Sequence, residues 1–69
     1  MCRSIKTLRP PVTLDPGADD VRAAALQYVR KITGFREPSQ VNREAFWRAV
    51  DEIAQSTETV LATLVVRGR

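Results

Sequence analysis

Apolar side chains recur along the chain in two helical stretches separated by a break. Val21, Ala25, Tyr28, Val29 and Ile32 fall at i, i+4, i+7, i+8 and i+11, which is one face of a 3.6-residue repeat. Phe46, Val50, Ile53, Ala54, Thr57, Val60, Leu61 and Leu64 hold a single face for more than five turns. The spacing therefore predicts two helices. The first runs from Pro16 or Ala18 to Thr33, with Asp15 as its cap, Pro16 at the first helical position, and Asp19 and Asp20 near its positive end. Gly34 ends it in the left-handed conformation that follows a helix, and Phe35 is placed to fold back on Val29. The linker Arg36–Val41 contains Pro38, and either Ser39 or Asn42 can cap the second helix. Ser56-Thr57 is a weak point in that helix, although the apolar stripe passes through it unshifted. Glu44 and Arg48 stand at i, i+4 on the outer side, in the favourable order.

Residues 1–17 have no clean period. Pro10, Pro11 and Pro16 exclude a helix interior there, so this stretch reads as an extended basic arm in front of a helical hairpin domain at 18–69. The expected fold class is all-α: two antiparallel helices joined by a short linker. The expected core is Val21, Ala25, Tyr28, Val29, Ile32, Phe46, Val50, Ile53, Val60, Leu61 and Leu64. Two helices bury only one face each, and the second outruns the first by about a turn. Its far end at Val60, Leu61 and Leu64 needs a cover. Ile5 and Leu8 of the arm can supply one, or a second copy can, completing a four-helix bundle as a homodimer.

Composition narrows the function more than it defines it. The chain has 69 residues, 43% hydrophobic and 28% charged, which allows one thin-cored globular domain and argues against disorder. No stretch reaches roughly 20 apolar residues, so no spanning helix or membrane role is expected, and the start lacks the apolar segment of a secretory signal. One cysteine, Cys2, permits no internal disulfide and suits the cytoplasm. The net charge of +3 is unevenly spread. Residues 1–9 and 67–69 carry five basic side chains and no acid, while residues 10–66 hold six basic and eight acidic ones.

The absence of histidine removes the commonest general base and the commonest metal ligand at once. Lys6 and Lys31 lie in no apolar context that would lower a lysine pKa, and Gly17, Gly34 and Gly68 are too far apart for a phosphate loop. Asp51 and Glu52 diverge by about 100° on a helix and read as a solvated face. No enzyme and no cofactor are expected. Cys2 is a possible thiol or metal site, since removal of Met1 leaves an amine and a thiol on one residue near Arg3 and Lys6. One thiol alone does not make a four-ligand zinc site. Its plainer reading is a small hydrophobe on the arm.

Trp47 points about 100° from Phe46 and sits at the border of the stripe, where it either covers the core edge or anchors a partner. Arg3, Lys6, Arg9, Arg30, Lys31 and Arg36 form one basic patch for nucleic acid or a partner if the arm lies near the end of the first helix. A helix-turn-helix reading is disfavoured, because the linker is too long and the second helix is acidic where a recognition helix is basic.

Met1-Cys2-Arg3, Ile5-Lys6, Leu8, Pro10-Pro11, Ala24 to Lys31, Gly34, Pro38-Ser39, Asn42, Phe46 and Ala49-Val50 together resemble a family of short bacterial proteins known as a domain of unknown function. The resemblance spans nearly the whole chain. It departs at Ser4, where family members often have asparagine, and at Leu14 to Ala18, where Asp15-Pro16-Gly17 replaces a plainer acidic helix start. It implies no activity, cofactor or catalytic residue, and it makes the arm part of the protein. The expectation is a small helical interaction module that forms a homodimer or meets another protein. The alternatives are an electrostatic nucleic-acid binder through the arm, and a thiol or metal function at Cys2.

Overall fold

The computed structural model describes residues 5–65. Two α-helices, α1 (Ala18–Thr33) and α2 (Arg43–Thr63), are joined by a linker with one 3₁₀ turn at Gln40–Asn42, and no strand occurs among the described residues. The architecture is the all-α hairpin that the periodicity predicts.

The start of α1 differs from expectation in its cap. Gly17, not Asp15, occupies the cap position, with extended backbone at φ −104°, ψ −176°. The Gly17 N–H donates to Asp20 Oδ2 at 2.9 Å, the contribution a third-position carboxylate makes to a helix start. A cap at Gly17 keeps Asp19 and Asp20 within the first turn, where the unpaired N–H groups and the helix dipole favour anions. A cap at Asp15 would push both acids into the second turn and forfeit that. At the other end Gly34 has φ 77°, and its N–H donates to the Arg30 carbonyl at 2.8 Å.

Neither Ser39 nor Asn42 caps α2 through its side chain. They bond each other instead: Asn42 Nδ2 donates to Ser39 Oγ and Asn42 N to the Ser39 carbonyl, both at 3.0 Å, so the linker closes on itself. α2 runs unbroken through Ser56-Thr57. Thr57, Thr59 and Thr63 donate their hydroxyls to the carbonyls of Ile53, Gln55 and Thr59 at 2.7, 3.1 and 2.9 Å, which turns these polar groups inward along the helix.

The core sits in the seam. Ala25, Val29, Phe46 and Val50 form its buried centre, with Leu26, Trp47, Ala49, Ile53 and Ala54 packed against them. The two helices run antiparallel, since Arg22 meets Asp51 near one end while Ile32 and Phe35 share a hollow with Asn42 and Ala45 at the other. From the Arg22–Asp51 register, Ala18 reaches no further along α2 than about Gln55. The last two turns of α2 therefore have no helix beside them among the described residues. Val60 and Leu64 are 48% and 49% exposed, so they do not belong to the core, and Leu61 and Ile53 are half-buried. Tyr28 and Ile32 are also displaced from the expected core, at 41% and 60% exposed, because the apolar arc of α1 is wider than the strip α2 covers.

The arm is docked. Leu8 is buried, and with Ile5 and Lys6 it lines a hollow against Asp20, Ala23, Ala24 and Gln27 of α1. The chain bends at Pro10-Pro11, where the N–H groups of Val12 and Thr13 both donate to the Arg9 carbonyl at 3.0 Å. Thr13 Oγ1 reaches back to the Thr7 carbonyl at 2.7 Å. Lys6 Nζ stands 3.7 Å from Asp20 Oδ1, so one carboxylate holds both the helix start and the arm.

Candidate functional site

Three surfaces of the hairpin differ in what covers them. The first is the flank at Trp47. The Arg22 guanidinium lies 5.8 Å from the centre of the indole and pairs with Asp51. Phe46 meets the Trp47 ring edge-to-face, with centroids 5.0 Å apart at 74°. Trp47 is half-buried and closes this side of the seam. Arg22 and Asp51 are its partners. Sequence reasoning named neither for this, since only the register between the helices brings them together.

The second surface is the loop end. Arg30 is occupied there: its Nε donates to the Arg36 carbonyl at 2.9 Å, and its guanidinium approaches Glu37 at 3.9 Å. Lys31 and Arg36 line the adjoining depression with Gln27, Arg30, Gly34 and Phe35. Neither side chain has a carboxylate within ion-pair distance among the described residues. Beside them opens a hollow of about 230 Å³ with Val29, Phe46 and Ala49 behind it and Ile32, Phe35 and Ala45 around it. Phe35 thus shares a hollow with Val29, as the helix-end pattern suggested. It remains 40% exposed.

The third surface is the free end of α2, with Val60, Leu61 and Leu64.

Of the six basic residues, those described do not converge on one patch: they divide between the two ends of α1. Lys6 is held at the first turn of α1 by Asp20, whereas Arg30, Lys31 and Arg36 cluster at its last turn. Ten residues of helix, or about 15 Å, separate Asp20 from Arg30. Arg9 serves through its carbonyl at the bend of the arm. Arg3 and Cys2 lie outside the described residues. No cluster of three His, Cys, Asp or Glu side chains with metal-binding geometry occurs among the described residues, and no described helix is long and apolar enough to cross a membrane.

Fold and surfaces together define a small two-helix hairpin with a docked N-terminal arm. Over residues 1–69 the chain matches the family described as uncharacterized conserved protein (DUF2277), and it belongs to that family. No curated protein and no solved structure matches it.

Proposed function

We propose that the protein acts by contact and not by chemistry, as a helical interaction module in the cytoplasm, away from membranes, that pairs with a second copy through the free end of α2. The supporting observation is the exposure of Val60 and Leu64 on a face that α1 does not reach and that the described part of the arm, docked on α1, does not cover. Between Glu52 and Arg67 the only charged residue is Glu58, so a twofold axis beside Leu61 brings no row of like charges together. A pair built this way is a four-helix arrangement. The lack of histidine supports a role without catalysis, and the single cysteine suits a reducing compartment.

Magnitudes set how tight such a pair is. Full burial of a valine or leucine side chain stabilises by about 1.5–3 kcal/mol, and these side chains are already half covered, so six of them across a twofold contribute about 4.5–9 kcal/mol. Association costs about 4 kcal/mol or more before any affinity shows. The dimer is therefore weak and concentration-dependent. Light scattering across a hundredfold dilution from about 1 mM tests it: the mass falls from two chains toward one, and Leu64→Lys is a single chain throughout. A wild-type mass of one chain at every concentration overturns the proposal.

A further inference from the structure

We infer that the loop end of the hairpin is a docking site for an acidic peptide segment of a partner protein, one apolar side chain of which enters the hollow between Ile32, Phe35 and Phe46 while its carboxylates meet Lys31 and Arg36. This surface is separate from the self-pairing face of α2, so either can fail without the other.

The inference starts from apolar surface the fold leaves unused. Ile32 and Phe35 are 60% and 40% exposed, yet they stand around a hollow whose inner wall is the buried pair Val29 and Phe46. The small side chains of Ala45 and Ala49 keep it open on the α2 side. Its volume, about 230 Å³, suits one leucine or phenylalanine side chain more than a whole small-molecule ligand. An apolar anchor seated in a preformed pocket and ringed by polar contacts is how interface energy is usually concentrated.

Charge selects the occupant. The C-terminal end of α1 carries a partial negative charge that favours cations, and Arg30 and Lys31 both stand in its last turn, with Arg30 also donating to the Arg36 carbonyl and pairing with Glu37 of the linker. Lys31 and Arg36, unlike Arg30, are in no ion pair among the described residues. They flank Phe35, and the one described acid at this end, Glu37, is on Arg30. A partner segment with carboxylates beside its apolar anchor complements both features, and the electrostatic part governs specificity and association rate more than affinity. The described part of the arm does not serve, because Lys6 ties it to Asp20 at the opposite end of α1. The chain's last residues do not complement the site either, because Arg67 and Arg69 are cations.

The test is fluorescence anisotropy with the full chain and a labelled synthetic peptide in which one phenylalanine is flanked on each side by two glutamates. Saturable binding with a Kd of about 100 μM or tighter is expected, in the range of small transient contacts. Replacing the glutamates by lysine, or the phenylalanine by alanine, weakens it at least about tenfold, since each change removes at least ~1.4 kcal/mol of contact. Lys31→Glu with Arg36→Glu, both on exposed side chains, and separately Ile32→Gln do the same with the circular dichroism spectrum unchanged. Equal binding of the lysine peptide, indifference to both sets of variants, or no binding up to about 1 mM overturns the inference. So does a duplex oligonucleotide that binds through Lys31 and Arg36 where the peptide does not, because that assigns the cations to phosphate.

Discussion

The guanidinium of Arg22 lies over the indole of Trp47 at 5.8 Å from its centre, while its Nη1 donates to Asp51 one turn further along α2. This one side chain ties the two helices on the flank that Trp47 closes. A cation on a tryptophan face contributes about 0.5–1 kcal/mol at a site this exposed, and the ion pair to Asp51 adds at most about the same. Arg22→Ala should therefore lower stability by about 1 kcal/mol. The urea midpoint falls with an unchanged slope, and the Trp47 emission moves to the red as water reaches the ring. An unmoved midpoint with unshifted emission would show that the contact carries nothing.

Phe46 and Ile32 both lie on the stripes that sequence periodicity marks as core, but the structure separates them. Phe46 is buried in the seam and Ile32 is mostly in solvent. Phe46→Ala should cost roughly 3–5 kcal/mol, most of the stability of a domain this size. Ile32→Ala should cost less than about 0.5 kcal/mol. Thermal unfolding followed by circular dichroism measures both, and similar costs would contradict the observed seam.

That contrast shows what a single sequence carries. Period and punctuation are local, so the helix running to Thr33, the left-handed Gly34 and the inward positions Val21, Ala25, Val29, Phe46 and Val50 were all legible. How far each stripe is covered depends on where two helices of 16 and 21 residues meet, which is not local. Val60 and Leu64 have the right period but stay half exposed past the stretch of α2 that α1 covers, and Tyr28 lies on the edge of an arc wider than its cover. The cap at Gly17 has a related cause. Asp15-Pro16 is a strong local start signal, yet Asp20 bonding the Gly17 N–H and Lys6 together settles the start two residues later. The basic patch depended wholly on where the arm docks. Of the candidate surfaces, Trp47 was visible as a border residue, whereas the hollow at Ile32 and Phe35 needs the linker's return path to exist.

The two described glycines next to α1 predict opposite responses to a side chain. A Cβ at either position meets nothing within 4 Å, so sterics with neighbours play no part and backbone conformation alone decides. Gly34 has φ 77°, where an ordinary residue is strained, and Gly34→Ala should destabilise by about 1–2 kcal/mol. Gly17 is in extended backbone at a cap position. Gly17→Ser should be neutral or stabilise by a few tenths of a kcal/mol by giving the first turn an oxygen acceptor. Chemical denaturation of both variants checks the pair, and a loss of stability at Gly17→Ser would count against the cap assigned to it.

Leu8 decides whether the arm belongs to the folded unit in solution. It is the one buried residue described outside the helices, lying against Asp20, Ala23 and Ala24 of α1. Its neighbours hold the arm less firmly: the Lys6–Asp20 pair is exposed and contributes about 0–1 kcal/mol, and Ile5 is only half-buried. Leu8→Ala should therefore cost about 2–3 kcal/mol, far more than Lys6→Ala, and it should release the segment before Gly17. Amide hydrogen exchange can separate local release from global unfolding. In the wild type the Val12 and Thr13 amides, both bonded to the Arg9 carbonyl, exchange more slowly than solvent-exposed amides. In Leu8→Ala their protection is lost while that of Val29 and Val50 falls only by the loss in global stability. If Leu8→Ala unfolds as the wild type does, and Val12 and Thr13 are unprotected in both, the arm is not docked in solution and the hairpin stands on its seam alone.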